Sequence, residues 1–161
     1  MKRVIKSIMT KGLMILGILT ISVISVKAES KSEEKFYTVK SSFNAKKTIE
    51  KIEEILKDKK IEVFARIDHK KNAEDVKMKL RESYVILFGS PKAGTPLMVQ
   101  DQKLALELPL KILVWEDSNK VTWVRYKKMT NISSDYSVAN HPIVKKMDEL
   151  AKNIVDKSSG L

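Results

Sequence analysis

The 161-residue sequence contains no cysteine, only two histidines and few aromatic residues. The lack of cysteine excludes disulfides, thiol chemistry and cysteine-bound zinc or iron–sulfur sites, so packing alone must stabilise the core. The sequence also lacks GxSxG, HxxxH and CxxCH motifs, and its serines cluster in segments without a nearby histidine. No nucleophilic triad can therefore be assembled, and no cofactor is evident.

The N-terminal segment has the three parts of a secretory signal peptide. Basic residues come first, no acidic residue precedes Glu29, and residues 12–26 are almost wholly apolar. The small side chains of Val26 and Ala28 then suit a signal peptidase. We therefore predict a cleavable signal peptide over residues 1–28, cut after Ala28, and a periplasmic or secreted protein. An uncleaved anchor is the alternative, but an apolar run of 15 residues is shorter than the ~20 that span a bilayer.

The positive charge of the chain is reduced by this cleavage. The whole chain carries +11, and the signal peptide contributes five basic residues and no acidic residue, which leaves +6 (11 − 5). The remaining lysines are mixed with acidic residues, as is typical of a solvated helix face. We therefore expect no nucleic-acid partner, and membrane contact only through the signal peptide before cleavage. A small anionic ligand is compatible with the charge.

The hydropathy pattern predicts a polar lead-in over residues 29–36 and one domain over 37–157. The predicted strands are 36–40, 61–67, 84–88, 110–116 and 121–126. The predicted helices are 45–60, a turn within 73–80, a helix capped by Thr95 with Pro96 in its first turn, and a final helix from Pro142. Residues 127–141 are expected to be irregular and the tail 156–161 to fray. This order predicts an α+β fold in two layers, a mostly antiparallel sheet with helices packed on one face.

Three spaced motifs resemble the domain-of-unknown-function 302 family (DUF302). They are residues 65–69 (ARIDH) with Asn72-Ala73, residues 88–98 (FGSPKAGTPLM), and residues 108–111 (LPLK) running into 114–117 (VWED). The resemblance implies a small α+β fold with an antiparallel sheet, commonly as a homodimer. It implies no reaction, because the family has no agreed activity.

The segment GSPKAGTP is the first candidate site. Glycine lets backbone N–H groups approach a ligand, and the start of a helix attracts anions. Lys92 and Thr95 would complete an anion pocket with Gly89 and Gly94. The segment does not match the phosphate-binding GxxxxGK[ST] pattern. The alternative is a rigid strand-to-helix corner or a dimer contact.

His69 is the second candidate, as an acid/base or a metal ligand oriented by Asp68, with Asn72 nearby. Its alternative is a structural histidine that bonds backbone at a turn. His69, His141 and Met98 are weak candidates for binding metal or haem, because methionine is most often core filler. Three hypotheses follow: a non-catalytic ligand-binding or interaction module, an enzyme for a small anionic substrate that uses His69, and a metal or haem carrier.

Trp115 and Trp123 lie on opposite strands of the predicted hairpin and are expected to be cross-strand neighbours. Aromatic residues gather at interfaces, so we predict that this pair contributes to one.

Overall fold

A computed structural model describes residues 34–161 of the chain. The predicted signal peptide and most of the predicted lead-in lie outside the described residues. Five strands form one sheet in the order β1-β5-β4-β3-β2, and every neighbouring pair is antiparallel. The strands are β1 Phe36–Lys40, β2 Glu62–Asp68, β3 Ser83–Gly89, β4 Leu110–Glu116 and β5 Thr122–Lys127. The helices are α1 Ala45–Asp58, α2 His69–Asp75, α3 Pro91–Gln100, a 3-10 helix Gln102–Leu106, α4 Met129–Ser133 and α5 Pro142–Ser159.

The helices cover one face of the sheet, which confirms the predicted two-layer α+β class. Burial alternates along the three central strands because successive side chains point to opposite faces. The covered face contributes fully buried Ile86, Ile112 and Val124, and the helices contribute buried Ile49 and Ile154. Among the helices of residues 34–161, none is both long and apolar enough to span a bilayer.

Helix α1 forms where local chemistry predicts it. The Asn44 side chain accepts a hydrogen bond from the Lys47 N–H at 2.8 Å and so caps the first turn. Ile49, Ile52 and Leu56 recur at helical spacing and are fully buried against the sheet. Both the cap and the buried stripe were expected from the sequence.

Two elements near β2 differ from the prediction. β2 is an edge strand with a bulge between Val63 and Ala65, which leaves Val63 and Phe64 exposed instead of alternating regularly. Helix α2 spans His69–Asp75 instead of lying within 73–80, because the Asp68 carboxylate accepts from the Lys71 N–H at 2.9 Å and starts the helix earlier.

Helix α3 begins at Pro91, not at Pro96. Both prolines fit a first turn, but β3 ends at Gly89 and Ser90 is already extended, so the helix starts at the earlier proline. Pro96 then lies inside the helix, where it removes one backbone donor. Thr95 is consequently a helical residue and not a cap.

The C-terminal third is more ordered than predicted. Residues 129–133 of the expected irregular segment form α4, whose first two N–H groups, those of Met129 and Thr130, donate to the carboxylate of Asp148 on α5. The tail expected to fray instead ends α5, with Ser158 and Ser159 fully buried.

Candidate functional site

A cavity of about 300 Å³ opens at the end of the sheet where β3 leads into α3. We call it the end cavity. It combines the GSPKAGTP segment with side chains from the β2 bulge, the start of β4 and helix α5. Its lining residues are Phe64, Phe88, Gly89, Ser90, Pro91, Ala93, Gly94, Thr95, Met98, Leu108, Pro109, Leu110 and Met147. The lining is mostly apolar, and the hydroxyls of Ser90 and Thr95 are its polar side-chain groups.

The two glycines of this segment serve packing. Gly94 is buried in α3, where an added Cβ would lie 3.3 Å from Leu108 Cδ1. Gly89 pairs with Glu62 in the sheet, and an added Cβ would lie 3.4 Å from the Phe64 ring. Among the glycines of residues 34–161, only Gly160 has a positive φ. Gly89 and Gly94 therefore allow close contact between elements and need no unusual backbone conformation.

The first turn of α3 offers few donors to an anion. Pro91 has no N–H, and the N–H groups of Ala93 and Gly94 both bond to the Ser90 carbonyl, at 2.9 and 3.0 Å. Lys92 is exposed and does not line the end cavity. This geometry favours an apolar ligand over the predicted anion at this helix end.

His69 lies at the other end of the sheet. Asp68, the residue before it, pairs with Tyr84 near the start of β3, whereas GSPKAGTP begins where β3 ends. The five residue steps from Tyr84 to Gly89 along β3 separate these positions by roughly 16 Å at ~3.3 Å per residue. His69 and Lys92 therefore do not meet in one pocket. Asn72 is exposed on α2.

Asp68 does not serve as the partner of His69. Its carboxylate accepts the Lys71 N–H as the cap of α2. A charged cluster lies next to them: Lys70 Nζ bonds to Glu82 at 2.6 Å, and the Tyr84 hydroxyl also donates to Glu82. Burial, and then the bond to Glu82, raises the pKa of Tyr84 well above its usual range. The bond from Lys70 lowers the pKa of Glu82.

His141 and Met98, two of the residues considered as metal ligands, have other contacts in the structure. The Nδ1 atom of His141 accepts from the Ile143 N–H at 3.2 Å and caps α5. Met98 lines the end cavity. Within the described residues, no three of His, Asp or Glu side chains cluster as a metal site would require.

The second face of the sheet, which we call the open face, carries the two tryptophans. Trp115 and Trp123 are paired in the β4–β5 register, with ring centroids 6.4 Å apart, so the predicted cross-strand contact is confirmed. The next position along β5 on this face is Arg125, whose guanidinium lies 5.9 Å from the Trp115 ring.

A second cavity of about 300 Å³, the sheet-face cavity, lies further along the open face. Its lining includes three basic residues, Lys111, Arg125 and Lys127, and apolar side chains that include Phe36 and Leu113. The sequence analysis missed this group. Its trace in the sequence is one basic residue on β4, Lys111, and two at alternating positions of β5, Arg125 and Lys127. This pattern becomes informative only when the register of the two strands is known.

Comparison with known proteins identifies the family. The model of the family "Domain of unknown function DUF302" matches residues 37–158, so the chain belongs to this family, as its motifs predicted. A crystal structure of an uncharacterized conserved DUF302 protein from Bacillus stearothermophilus has the same fold, with a TM-score of 0.62. The similarity covers 78% of this chain and 96% of that chain at 19% identity.

Curated relatives are longer proteins with a named activity. The chain is 31% identical over 109 residues to fluoride-specific ion channel FluC 1 of Brucella suis biovar 1 and to that of Brucella abortus biovar 1. The match covers 63% of this chain but only 43% and 40% of these relatives. The chain thus spans about two-fifths of their length, and the channel activity in their name belongs to those whole proteins.

Proposed function

We propose that this DUF302 protein is an exported, non-catalytic module that binds a small, largely apolar molecule in the end cavity. The observation that carries the proposal is the lining of the cavity. Its volume of about 300 Å³ lies at the lower end of the range of ligand pockets, which are mostly apolar with a few placed polar groups. Ser90 and Thr95 supply those polar groups here, and Ser90 makes no capping bond with its side chain.

The chemistry of the lining favours binding over catalysis. Among the described residues that line the end cavity, none is an acid, a base or an activated nucleophile. General acid–base catalysis needs a titratable group within hydrogen-bond reach of the substrate. An enzyme that used His69 would have to act elsewhere, because His69 lies roughly 16 Å away along β3.

The relatives support a modular role. The matched sequence forms only part of a longer relative, as expected for a domain that combines with other domains in different proteins. Export follows from the predicted signal peptide, and a mature chain of residues 29–161 is the expected product. A homodimer is also part of this proposal and is tested by the same experiment.

The test begins with native mass spectrometry of protein recovered from the periplasm of cells that express the full chain. The expected result is the mass of residues 29–161, or twice that mass, with a bound organic molecule. Recovery of the uncleaved chain with the membranes would contradict cleavage of the signal peptide, and recovery of the chain in the cytoplasmic fraction would contradict export. A variant with a filled cavity, Met98→Trp, should lose the bound molecule, whereas Val99→Trp should keep it, because Val99 is 82% exposed on the same helix.

A defined probe covers the case in which the native molecule is lost on purification. Indole combines an apolar ring with one N–H donor, and its titration is followed by amide chemical shifts. We expect shifts at Gly89, Gly94 and Met98 in the wild type and in Val99→Trp, but not in Met98→Trp. Equal binding to both variants, or shifts confined to other parts of the domain, would sink the proposal.

A further inference from the structure

Three basic residues, Lys111, Arg125 and Lys127, are neighbours on the open face because of the register of β4 and β5. Leu113 pairs with Arg125 and Ile112 with Tyr126, and extending this register by one residue places Lys111 opposite Lys127. Arg125 and Lys127 are two residues apart on β5 and therefore point to the same face. Directly opposed side chains have Cβ atoms about 5 Å apart, and like charges in such pairs are destabilising. This pairing is thus unfavourable in the free protein.

The two lysines share one acidic neighbour in the lining of the sheet-face cavity. Among the described residues that line it, Glu107 is the single acid beside Lys111 and Lys127, so these three side chains together carry +1 (2 − 1). The Lys127 Nζ lies 3.9 Å from Glu107 Oε2, at the outer limit of an ion pair. The Lys111 Nζ donates to the Glu107 backbone carbonyl at 3.1 Å, which leaves its charge without a carboxylate partner at that contact.

The floor of the same cavity is apolar. Phe36, Val85 and Leu113 line it beside the cations. Arg125 is held in place there, because its Nε donates to Thr38 Oγ1 at 2.8 Å and its guanidinium lies 4.8 Å from the centre of the Phe36 ring.

From these contacts we propose that the sheet-face cavity binds a small organic anion with an apolar body, of the alkyl or aryl carboxylate class. The carboxylate would accept charge-assisted hydrogen bonds from Lys111 and Lys127 and relieve their repulsion. The apolar body would cover Phe36, Val85 and Leu113 and remove their partly exposed surface from water. This site is distinct from the end cavity, whose lining carries no charge.

Isothermal titration calorimetry with octanoate, 1-octanol and acetate tests this proposal on the mature protein at fixed ionic strength. Octanoate should bind, and acetate and 1-octanol should bind much more weakly, because each lacks one half of the recognition. Lys111→Gln/Lys127→Gln should weaken octanoate binding about tenfold or more, the effect expected from losing a charge-assisted bond. Lys145→Gln/Lys146→Gln removes the same charge from two exposed positions on α5 and should leave the affinity unchanged.

Thermal melting of the free variants checks that both double variants are folded. The Lys111→Gln/Lys127→Gln protein should melt close to the wild type, because it loses a like-charge pair together with the contacts of both lysines with Glu107. The proposal is overturned if the wild type does not bind octanoate, or if acetate binds as tightly. Loss of octanoate binding in Met98→Trp but not in the lysine variant would assign the ligand to the end cavity instead. If Lys111→Gln/Lys127→Gln keeps the octanoate affinity of the wild type but has a different sedimentation coefficient, the proposal is overturned and this face is an interface between two copies.

Discussion

Trp115 and Trp123 stack across the β4–β5 hairpin, with ring centroids 6.4 Å apart and ring planes inclined by 24°. The indole N–H of Trp123 also donates to Asp117 Oδ2 at 2.8 Å, in the turn that joins the two strands. Trp123 therefore contacts both Trp115 on the open face of the sheet and Asp117 in the hairpin turn.

This stacking should be measurable as a coupling energy. We expect a double-mutant cycle of Trp115→Ala and Trp123→Ala, followed by urea denaturation, to give a coupling of about 0.5–1.5 kcal/mol. Trp123→Phe should retain part of that coupling while losing the bond to Asp117. Strict additivity of the two alanine substitutions would show that the rings do not stabilise each other.

The hairpin turn should make the stability depend on pH. The hydrogen bond from Trp123, followed by that from the Val121 N–H, lowers the pKa of Asp117. A depressed pKa contributes stability that is present above the unfolded value of roughly 4 and is lost as pH falls through the folded value. Asp117→Asn should therefore destabilise the protein at neutral pH, and the difference from wild type should shrink below pH ~4.

Urea denaturation over a series of pH values measures this difference. Asp135→Asn removes a carboxylate from an exposed position and serves as the control. If the deficit of Asp117→Asn stays constant down to the lowest pH, the titration of Asp117 does not contribute to stability.

Asp148 should be the residue that holds α4 in place. Its carboxylate accepts the Met129 N–H, the Thr130 N–H at 3.0 Å and the Thr130 hydroxyl at 2.7 Å. Asp148→Ala should cost about 1.5–3 kcal/mol, the range for hydrogen bonds to a charged group. Asp148→Asn should cost less, and Glu149→Ala, the next residue and exposed, should cost little.

Amide hydrogen exchange separates a local effect from a global one. In Asp148→Ala, the amides of residues 129–133 should exchange faster than in the wild type, whereas those of the core strands should exchange at the wild-type rate. Unchanged protection of this segment would mean that α4 is held by packing alone.

Gly160 should be sensitive to substitution although it is the penultimate residue. It ends α5 with φ = 83°, and an added Cβ would lie 3.2 Å from the Phe43 ring. Gly160→Ala should destabilise the protein by about 1–2 kcal/mol, the cost of left-handed backbone for a residue with a Cβ. Leu161→Ala, at a residue that is 69% exposed, is the control and should have little effect on the melting temperature. A frayed tail would make the two variants equal.

The elements predicted correctly are those whose causes are local. Asn44 caps α1 through Lys47, three residues away, and Asp117 closes its hairpin by bonds to Asn119 and Val121. Such contacts depend on short-range geometry, so a sequence pattern suffices to predict them. The apolar alternation of the strands likewise predicted which class of fold would form.

The errors in the C-terminal third arise where a distant residue decides. Helix α4 depends on Asp148, which lies 18 or 19 residues further along the chain. The tail is ordered because the Ser42 N–H bonds to the Ser159 carbonyl at 2.9 Å, a contact between opposite ends of the domain. The sequence near residue 129 or residue 159 contains no pattern from which these distant partners could be predicted.

The sequence by itself determined the α+β class, the family, most strand positions, helix α1 and the start of helix α5, because these follow from local bonding and hydrophobic periodicity. Only the tertiary structure decided which candidate residues share a site. Antiparallel pairing sends His69 and Lys92 to opposite ends of β3, whereas it brings Lys111, Arg125 and Lys127 to one patch of the open face. The physical reason is register: neighbours across a sheet are set by long-range strand pairing, which the order of residues along the chain does not reveal.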